Sequence, residues 1–287
     1  MSSTVGAAET AAVLTQALPY IKRFRNKVVV VKYGGNAMNP EGGAAQFAED
    51  IVLMHSVGLK PVVVHGGGPQ ITDMMTRLGK KSEFRHGLRV TDAESLEITR
   101  MVLVGKVNRE LVSDINRHGP LAVGVSGEDG GLITAVLHDA ELGFVGDVAS
   151  VNPSLLLRLL EHDLIPVIAT IGVDEAGQAY NINADTVAGA IAVALHAEKL
   201  VFLTDIEGLR RDVADPSTLV SQITTAELQL LVEDGTVASG MIPKVQACLN
   251  AVGASVGSAH LLDGRIDHVL LLEVFTDRGI GTMITSD

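Results

Sequence analysis

Tryptophan is absent and aromatic residues make up only 3% of the chain. A protein that binds single-stranded nucleic acid by stacking bases on rings is therefore disfavoured. Positive charge is scarce too: 22 Lys and Arg stand against 34 Asp and Glu, for a net charge of −12. That balance repels DNA, RNA and anionic membranes, so an anionic ligand would need a local cluster of cations and backbone N–H groups. Cysteine occurs once, at Cys248, which excludes an intrachain disulfide framework and fits a reducing compartment. The N-terminal stretch lacks a basic segment followed by an apolar one, and no apolar run approaches the roughly 18 residues of a membrane span. A cytoplasmic location is expected. Two nucleotide signatures are also missing: G-x-x-x-x-G-K-[ST], and G-x-G-x-x-G after the first strand. P-loop ATPases and NAD-dependent oxidoreductases are thereby disfavoured.

What remains is the make-up of a folded globular protein of 287 residues, 47% hydrophobic and rich in glycine at 30 residues. Short β-branched runs bounded by Gly or Pro alternate with helical periodicity. Strands are expected at Val28–Lys32, Pro61–His65, Leu121–Val125, Leu132–Leu137, Leu164–Ile171, Lys199–Thr204 and His268–Leu272. Helices are expected at Ala44–Val57, Gln70–Leu78, Ala93–Val104, Val107–Arg117, Ser154–Leu160, Ala184–His196, Thr225–Val232 and Pro243–Val252. Strands buried on both faces and alternating with helices predict an α/β fold around a mostly parallel sheet. The Gly-rich stretch Gly127–Val148 reads as a β-hairpin insertion. A first helix, Glu9–Arg25, precedes all of this, and Pro19 predicts a kink or break in it. It either packs on its own domain or reaches to another subunit.

Two glycine clusters follow buried strands: Lys32-Tyr33-Gly34-Gly35 and His65-Gly66-Gly67-Gly68-Pro69. Ligands of open α/β sheets bind at the carboxyl ends of strands. Glycine lets backbone approach a ligand closely, and a helix starting just afterwards presents free N–H donors to an anion. One such cluster is ordinarily a tight turn. Two at successive strand ends, one carrying a lysine, point to an anion cradle. Phosphoryl transfer would need further cations and a group to organise them. Lys244, in a helix opened by Pro243, is one, although alone it reads as a solvated residue. Asp185, after Asn181-Ile182-Asn183-Ala184, is either a residue serving the helix dipole or a buried carboxylate orienting two lysines. Arg89 can grip a carboxylate bidentately. Thr204-Asp205-Ile206-Glu207-Gly208 is a nucleotide-edge loop or a plain turn.

Taken together, and in order over residues 27–285, these segments resemble the amino acid kinase family. The residues concerned are Lys32–Gly35 with Asn36-Ala37-Met38, His65–Gln70, Gly87–Thr91, Asn181–Asp185, Thr204–Gly208 and Gly240–Lys244. Within the family the likeness is to members that use ATP to phosphorylate the side-chain carboxylate of N-acetyl-L-glutamate in arginine biosynthesis. The resemblance implies a three-layer αβα sandwich with an extra N-terminal helix. It implies residues 27–197 as the acceptor-binding and dimerisation lobe, and residues 198–287 as the ATP lobe. Lys32 and Lys244 would stabilise the phosphoryl group and Asp185 would hold both lysines. Gly34, Gly35, Gly67 and Gly68 would offer N–H groups, and Arg89 and Asn181 would bind acceptor carboxylates. Thr204, Asp205, Gly208, Gly240 and Met241 would meet the nucleotide, whose Mg²⁺ arrives on its phosphates; no tightly bound cofactor or resident metal is expected.

The chain's ends resemble arginine-inhibited, hexameric members. The segments are Leu18-Pro19-Tyr20-Ile21 and His268…Glu273-Val274-Phe275-Thr276-Asp277…Gly279…Gly281-Thr282. In those members residues 1–26 would interlace dimers into a ring, with arginine beside that helix. By resemblance its contacts are Tyr20, Lys199, His268, Glu273 and Gly281. Some members also bind a nitrogen-signalling PII protein, a partner that the resemblance leaves open for this chain. The competing readings are a member acting on free glutamate or aspartate, and a sensor that kept the fold without catalysis. Intact Lys32, Asp185 and Lys244 argue against the second.

Overall fold

The computed structural model describes residues 6–35, 43–212, 214–237, 239–276 and 279–287. Helix α1 (Ala7–Phe24) opens the chain. Then β1 (Val28–Tyr33), α2 (Gly43–Ser56), β2 (Lys60–His65) and α3 (Gly68–Arg77) alternate. A short hairpin, β3 (Phe84–Arg85) and β4 (Leu88–Arg89), leads into α4 (Ala93–Arg100). That helix continues through a π-helical segment, Met101–Val107, into α5 (Asn108–Asn116). After β5 (Ala122–Ser126) come β6 (Ile133–Leu137), β7 (Val145–Val151), α6 (Ser154–Glu161), β8 (Ile165–Ala169), β9 (Ile171–Val173) and β10 (Ala179–Ile182). Next are α7 (Ala184–Ala194), β11 (Lys199–Thr204), β12 (Gln222–Thr224), α8 (Thr225–Glu233) and α9 (Ile242–Gly253). The chain closes with β13 (Ser258–Asp263), α10 (Val269–Phe275) and β14 (Thr282–Thr285).

Eight strands form the main sheet, in the order β12-β14-β13-β11-β1-β2-β8-β5. The six from β13 to β5 are mutually parallel, and β14 runs antiparallel to β13 at the edge. The alternation of side chains along a strand explains the layers. Val30, Val62 and Val64 face one core, shared with Leu156, Ile191 and Val245 from α6, α7 and α9. Val29, Val31 and Val63 face the other, with Ile51, Met75, Leu103 and Val274 from the opposite helices. Burial on both faces is why these strands read as unbroken valine runs, and it yields the αβα sandwich that the resemblance implied. The hairpin insertion is present too: β6 and β7 pair antiparallel and close with β9 and β10 into a small barrel.

Several expectations fail in detail. His268–Leu272 is not a strand: Val269–Phe275 is helical, with His268 in a left-handed conformation at its N-cap. A short apolar run carries too little periodicity to separate the two states. The strand lies just upstream, in Ser258–Asp263, where Ser258, His260 and Asp263 disguise six buried positions. Helix α1 runs continuously through Pro19. The two helices expected at Ala93–Val104 and Val107–Arg117 are one, joined by the π segment. The run Leu164–Ile171 divides at Thr170 between the main sheet and the barrel.

Candidate active site

Register brings the strand ends together. Lys32 lies level with Val64 of β2 and Phe202 of β11, and Tyr33 with His65, which in turn pairs with Ala169 of β8. The two glycine loops therefore leave the sheet side by side. The Gly66 N–H donates to the Tyr33 carbonyl at 3.1 Å. A Cβ on Gly34 would stand 3.2 Å from the Gly66 nitrogen and 3.4 Å from Lys32 Nζ, so glycine permits this approach. Helix α3 starts at Gly68 with Pro69 in its first turn and no side-chain cap, which leaves its leading N–H groups for a ligand.

Asp185 sits in the first turn of α7. Asn183 is the N-cap, its Oδ1 accepting from the N–H groups of Asp185 at 2.8 Å and Thr186 at 3.3 Å. The Asp185 carboxylate is thereby free for other partners. Lys32 Nζ lies 3.0 Å from its Oδ1, and Lys244 Nζ lies 2.9 Å from its Oδ2. The second contact exists because α9 packs along α7. Lys32 and Asp185 are buried, and Lys244 is partly open. Burial works to raise the Asp185 carboxyl, but the two ammonium groups outweigh it and hold it below the ordinary carboxylate value. Two cations against one anion leave an excess of positive charge at the strand ends.

Beside this cluster is a cleft of about 220 Å³, lined among others by Gly35, Gly67, Gly68, Arg89 and Asn181. Arg89 Nη2 donates to the Gly68 carbonyl at 2.9 Å and to Thr72 Oγ1 at 2.8 Å, and its guanidinium lies 4.6 Å from the Phe84 ring centroid. It ties the β3–β4 hairpin to the start of α3. Asn181 Nδ2 is 3.4 Å from Thr91 Oγ1. Gly66, Thr170 and Asn183 also line the cleft and were not singled out from sequence. For Gly66 and Asn183 the signals, a glycine beside two chosen ones and an Asn two before Asp185, were in view, whereas Thr170 lies inside an apolar run that gives none.

A family model for the amino acid kinase family matches residues 27–263. The chain belongs to the amino acid kinase family. It is 52% identical to an acetylglutamate kinase from Heliobacterium modesticaldum over 290 residues, covering 97% of this chain and 98% of the relative. It is 54% identical to an acetylglutamate kinase from Saccharopolyspora erythraea, covering 97% and 93%. Among solved structures, N-acetylglutamate synthase from Neisseria gonorrhoeae complexed with coenzyme A and N-acetyl-glutamate superposes with a TM-score of 0.84 at 27% identity. That match covers 96% of this chain but 63% of the synthase chain. Carbamate kinase from Giardia lamblia bound to AMP-PNP shares the fold, with a TM-score of 0.70 at 19% identity, covering 91% and 99%. The expected kinase, with its likeness to acetylglutamate kinases, is borne out.

In this family member the Thr204–Gly208 loop opens a second cavity, of about 260 Å³. Asp205, Gly208, Arg210, Met241 and Arg265 are among its walls. Thr204 is buried behind it, donating to Asp205 Oδ1 at 3.3 Å, and Gly240 adjoins Met241 in the turn before α9. Arg265 grips Asp263 through Nε at 2.8 Å and Nη2 at 2.7 Å. Arg210 and Arg265 were missed from sequence, where a basic residue in a loop after a strand has no distinctive pattern.

The residues expected to meet arginine are divided. Tyr20, Lys199 and Glu273 line one cavity of about 330 Å³ between α1, β11 and α10. Lys199 Nζ is 3.0 Å from Glu273 Oε1 and 3.2 Å from His260 Nε2. His268 is not among the lining residues; its Nδ1 lies 2.7 Å from Asp50 Oδ1 on α2. Gly281 is also outside, packed against the Leu261 carbonyl of β13. Asn36, Ala37, Met38 and Asp277, which contribute to the resemblance, lie outside the described residues. Among the described residues, no helix is long and apolar enough to cross a membrane.

Proposed function

We propose that this chain uses MgATP to phosphorylate the side-chain carboxylate of N-acetyl-L-glutamate, giving ADP and N-acetylglutamyl 5-phosphate for arginine biosynthesis. The observation that carries the reading is the meeting of Lys32 and Lys244 on the two oxygens of Asp185. The acceptor carboxylate is ionised at neutral pH, so the reaction needs no general base. It needs like charges held together in line, and stabilisation of the charge on the transferring group. The lysine pair supplies that charge with its geometry already set by Asp185. The Gly34–Gly35 and Gly66–Gly68 amides would receive phosphoryl and acceptor oxygens, with Arg89 and Asn181 on the acceptor's carboxylates. The nucleotide would lie against Gly208, Gly240 and Met241, beyond Thr204 and Asp205. Residues 27–197 thus hold the acceptor and residues 198–287 the ATP. The choice of acceptor is supported by the names of the relatives at about half identity.

The test is ADP release with N-acetyl-L-glutamate, free glutamate, aspartate or no acceptor. Turnover with the acetylated substrate alone is expected. Equal turnover with free glutamate would move the assignment to another member of the family, and no ADP release with any acceptor would favour a sensor.

Feedback by arginine is the second part of the proposal. The cavity beside α1 offers two cations, Arg23 and Lys199, and one carboxylate, Glu273, groups of both signs suited to a zwitterion with a cationic side chain. A solved N-acetylglutamate synthase from Neisseria gonorrhoeae complexed with coenzyme A and L-arginine superposes with a TM-score of 0.80 at 27% identity, covering 96% of this chain and 65% of that one. Helix α1 exposes Val13, Leu14 and Leu18, an apolar stripe for the same helix of a second copy in a hexamer.

A further inference from the structure

Behind the glycine cradle lies a buried relay that the reaction as proposed does not use. His65, the last residue of β2, is fully buried. Its Nδ1 is 3.0 Å from the Gly66 carbonyl, and its Nε2 is 3.1 Å from Asn108 Nδ2. The same Asn108 nitrogen donates to the Val167 carbonyl of β8 at 2.9 Å. Both hydrogens of the amide are therefore committed, and Asn108 Oδ1 accepts from Arg109. An amide turned the other way would set its oxygen against the Val167 carbonyl. With Asn108 donating, His65 Nε2 must accept, and its proton must sit on Nδ1, where it donates to Gly66.

Asn108 reaches this position at the end of the π segment. A π turn adds a residue per turn and occurs mostly at functional sites. The same segment presses on the loop itself: a Cβ on Gly67 would stand 2.7 Å from Leu103 Cδ2 and 3.3 Å from Val107 Cγ2. The Gly66–Gly67 peptide is thus fixed on both sides, by His65 on its carbonyl and by the π turn on Gly67. In a trans peptide the N–H of Gly67 points opposite to the carbonyl of Gly66.

We infer that Asn108 and His65 are positioning residues: Asn108 sets the His65 tautomer, His65 holds the Gly66 carbonyl, and the Gly67 N–H is thereby aimed at the reacting oxygens. This rests on the kinase reading for what the Gly67 N–H meets, while the relay itself stands on geometry.

The tautomer is read directly by ¹⁵N NMR of the imidazole in the full-length protein. Wild type is expected to show the Nδ1–H form at His65, and an Nε2–H form overturns the inference. Asn108→Leu removes the donor to Nε2 and leaves the Gly66 carbonyl alone to hold the Nδ1–H form, so the ring and the carbonyl it holds are less firmly placed. With N-acetyl-L-glutamate, kcat should fall about 10²-fold, the scale of a misplaced reacting group, while KM for ATP changes little. A variant with lowered stability but wild-type kcat would reduce Asn108 to a packing residue and overturn it. Should Asn108→Leu fail to fold, the wild-type tautomer still decides. A wild type without ADP release would overturn the kinase reading through a different measurement.

Discussion

Two buried carboxylates organise this molecule, each between two nitrogen bases, and they differ in charge. Asp185 holds two lysines, Lys32 and Lys244, and the cluster opens beside a glycine-lined cleft. Glu273 holds Lys199 and the buried ring of His260, whose Nδ1 is 2.9 Å away. Burial resists the Glu273 charge, but His260 and Lys199 keep its carboxyl below the ordinary value. Burial also drives His260 down, toward the neutral ring. The first cluster thus carries surplus positive charge and the second is balanced. A site that stabilises a phosphoryl group needs the surplus. A balanced pair leaves no net field, and both its charges can be taken up by a ligand that carries both.

The largest effects should come from breaking the first cluster. Lys32→Ala and Lys244→Ala are each expected to lower kcat about 10²–10³-fold, roughly 3–4 kcal/mol of transition-state stabilisation. Each leaves the other lysine on Asp185, so the fold should persist. Asp185→Ala leaves two ammonium groups side by side and should cost at least as much. Stopped ADP-release assays with circular dichroism as the folding control measure all three. Near-normal turnover in either lysine variant would remove that lysine from the chemistry.

Part of this contrast is legible in the sequence. Lys32 and the two glycine loops could be found because parallel strands buried on both faces are nearly pure valine, and their ends are marked by glycine. Asp185 could be placed in a first helical turn, but its freedom from capping depends on Asn183 taking that duty. Of the second cluster, Lys199 and Glu273 were named only through the resemblance, and His260 was hidden. His260 belongs to a strand whose alternate polar residues point into a buried network, which reads as a loop, and Glu273 belongs to a helix too short to show its period. The His65–Asn108 bond spans 43 residues and exists only because the π segment adjusts the face of the helix. No local pattern encodes such a contact.

Acid should separate the regions through their histidines. Burial lowers His65 from 6.5 to about 4. Between those values the unfolded chain holds a proton that the folded chain refuses, so stability is complete above about 6.5 and falls as the pH drops toward 4. The loss from this group is on the order of 3 kcal/mol. His260 is lowered by burial as well and acts with the same sign. Asp185 adds its own loss only at lower pH, below the ordinary carboxylate value. Urea unfolding of wild type and His65→Gln across this range checks the assignment. The variant should start less stable at pH 7 and lose less on acidification. An unchanged slope would mean that His65 is protonated in the native protein.

The smallest effect sharpens the comparison most. Lys199→Met removes the positive half of the balanced pair and leaves Glu273 with His260. If the cavity beside α1 binds arginine, the ligand's carboxylate loses a charge-assisted partner worth about 1.5–3 kcal/mol, so the inhibitory midpoint should rise about 10- to 100-fold. Deleting residues 1–25 takes away Tyr20, Arg23 and Phe24, which line the cavity with Lys199. It also removes the exposed Val13, Leu14 and Leu18. The truncated chain should be dimeric by light scattering and insensitive to arginine, with its Lys32–Asp185–Lys244 cluster intact. Affinity and inhibition are linked, so a substrate whose binding arginine weakens must weaken arginine by the same factor. A truncated chain that stays hexameric and inhibited would detach regulation from α1, and a Lys199→Met protein with an unshifted midpoint would place the effector elsewhere.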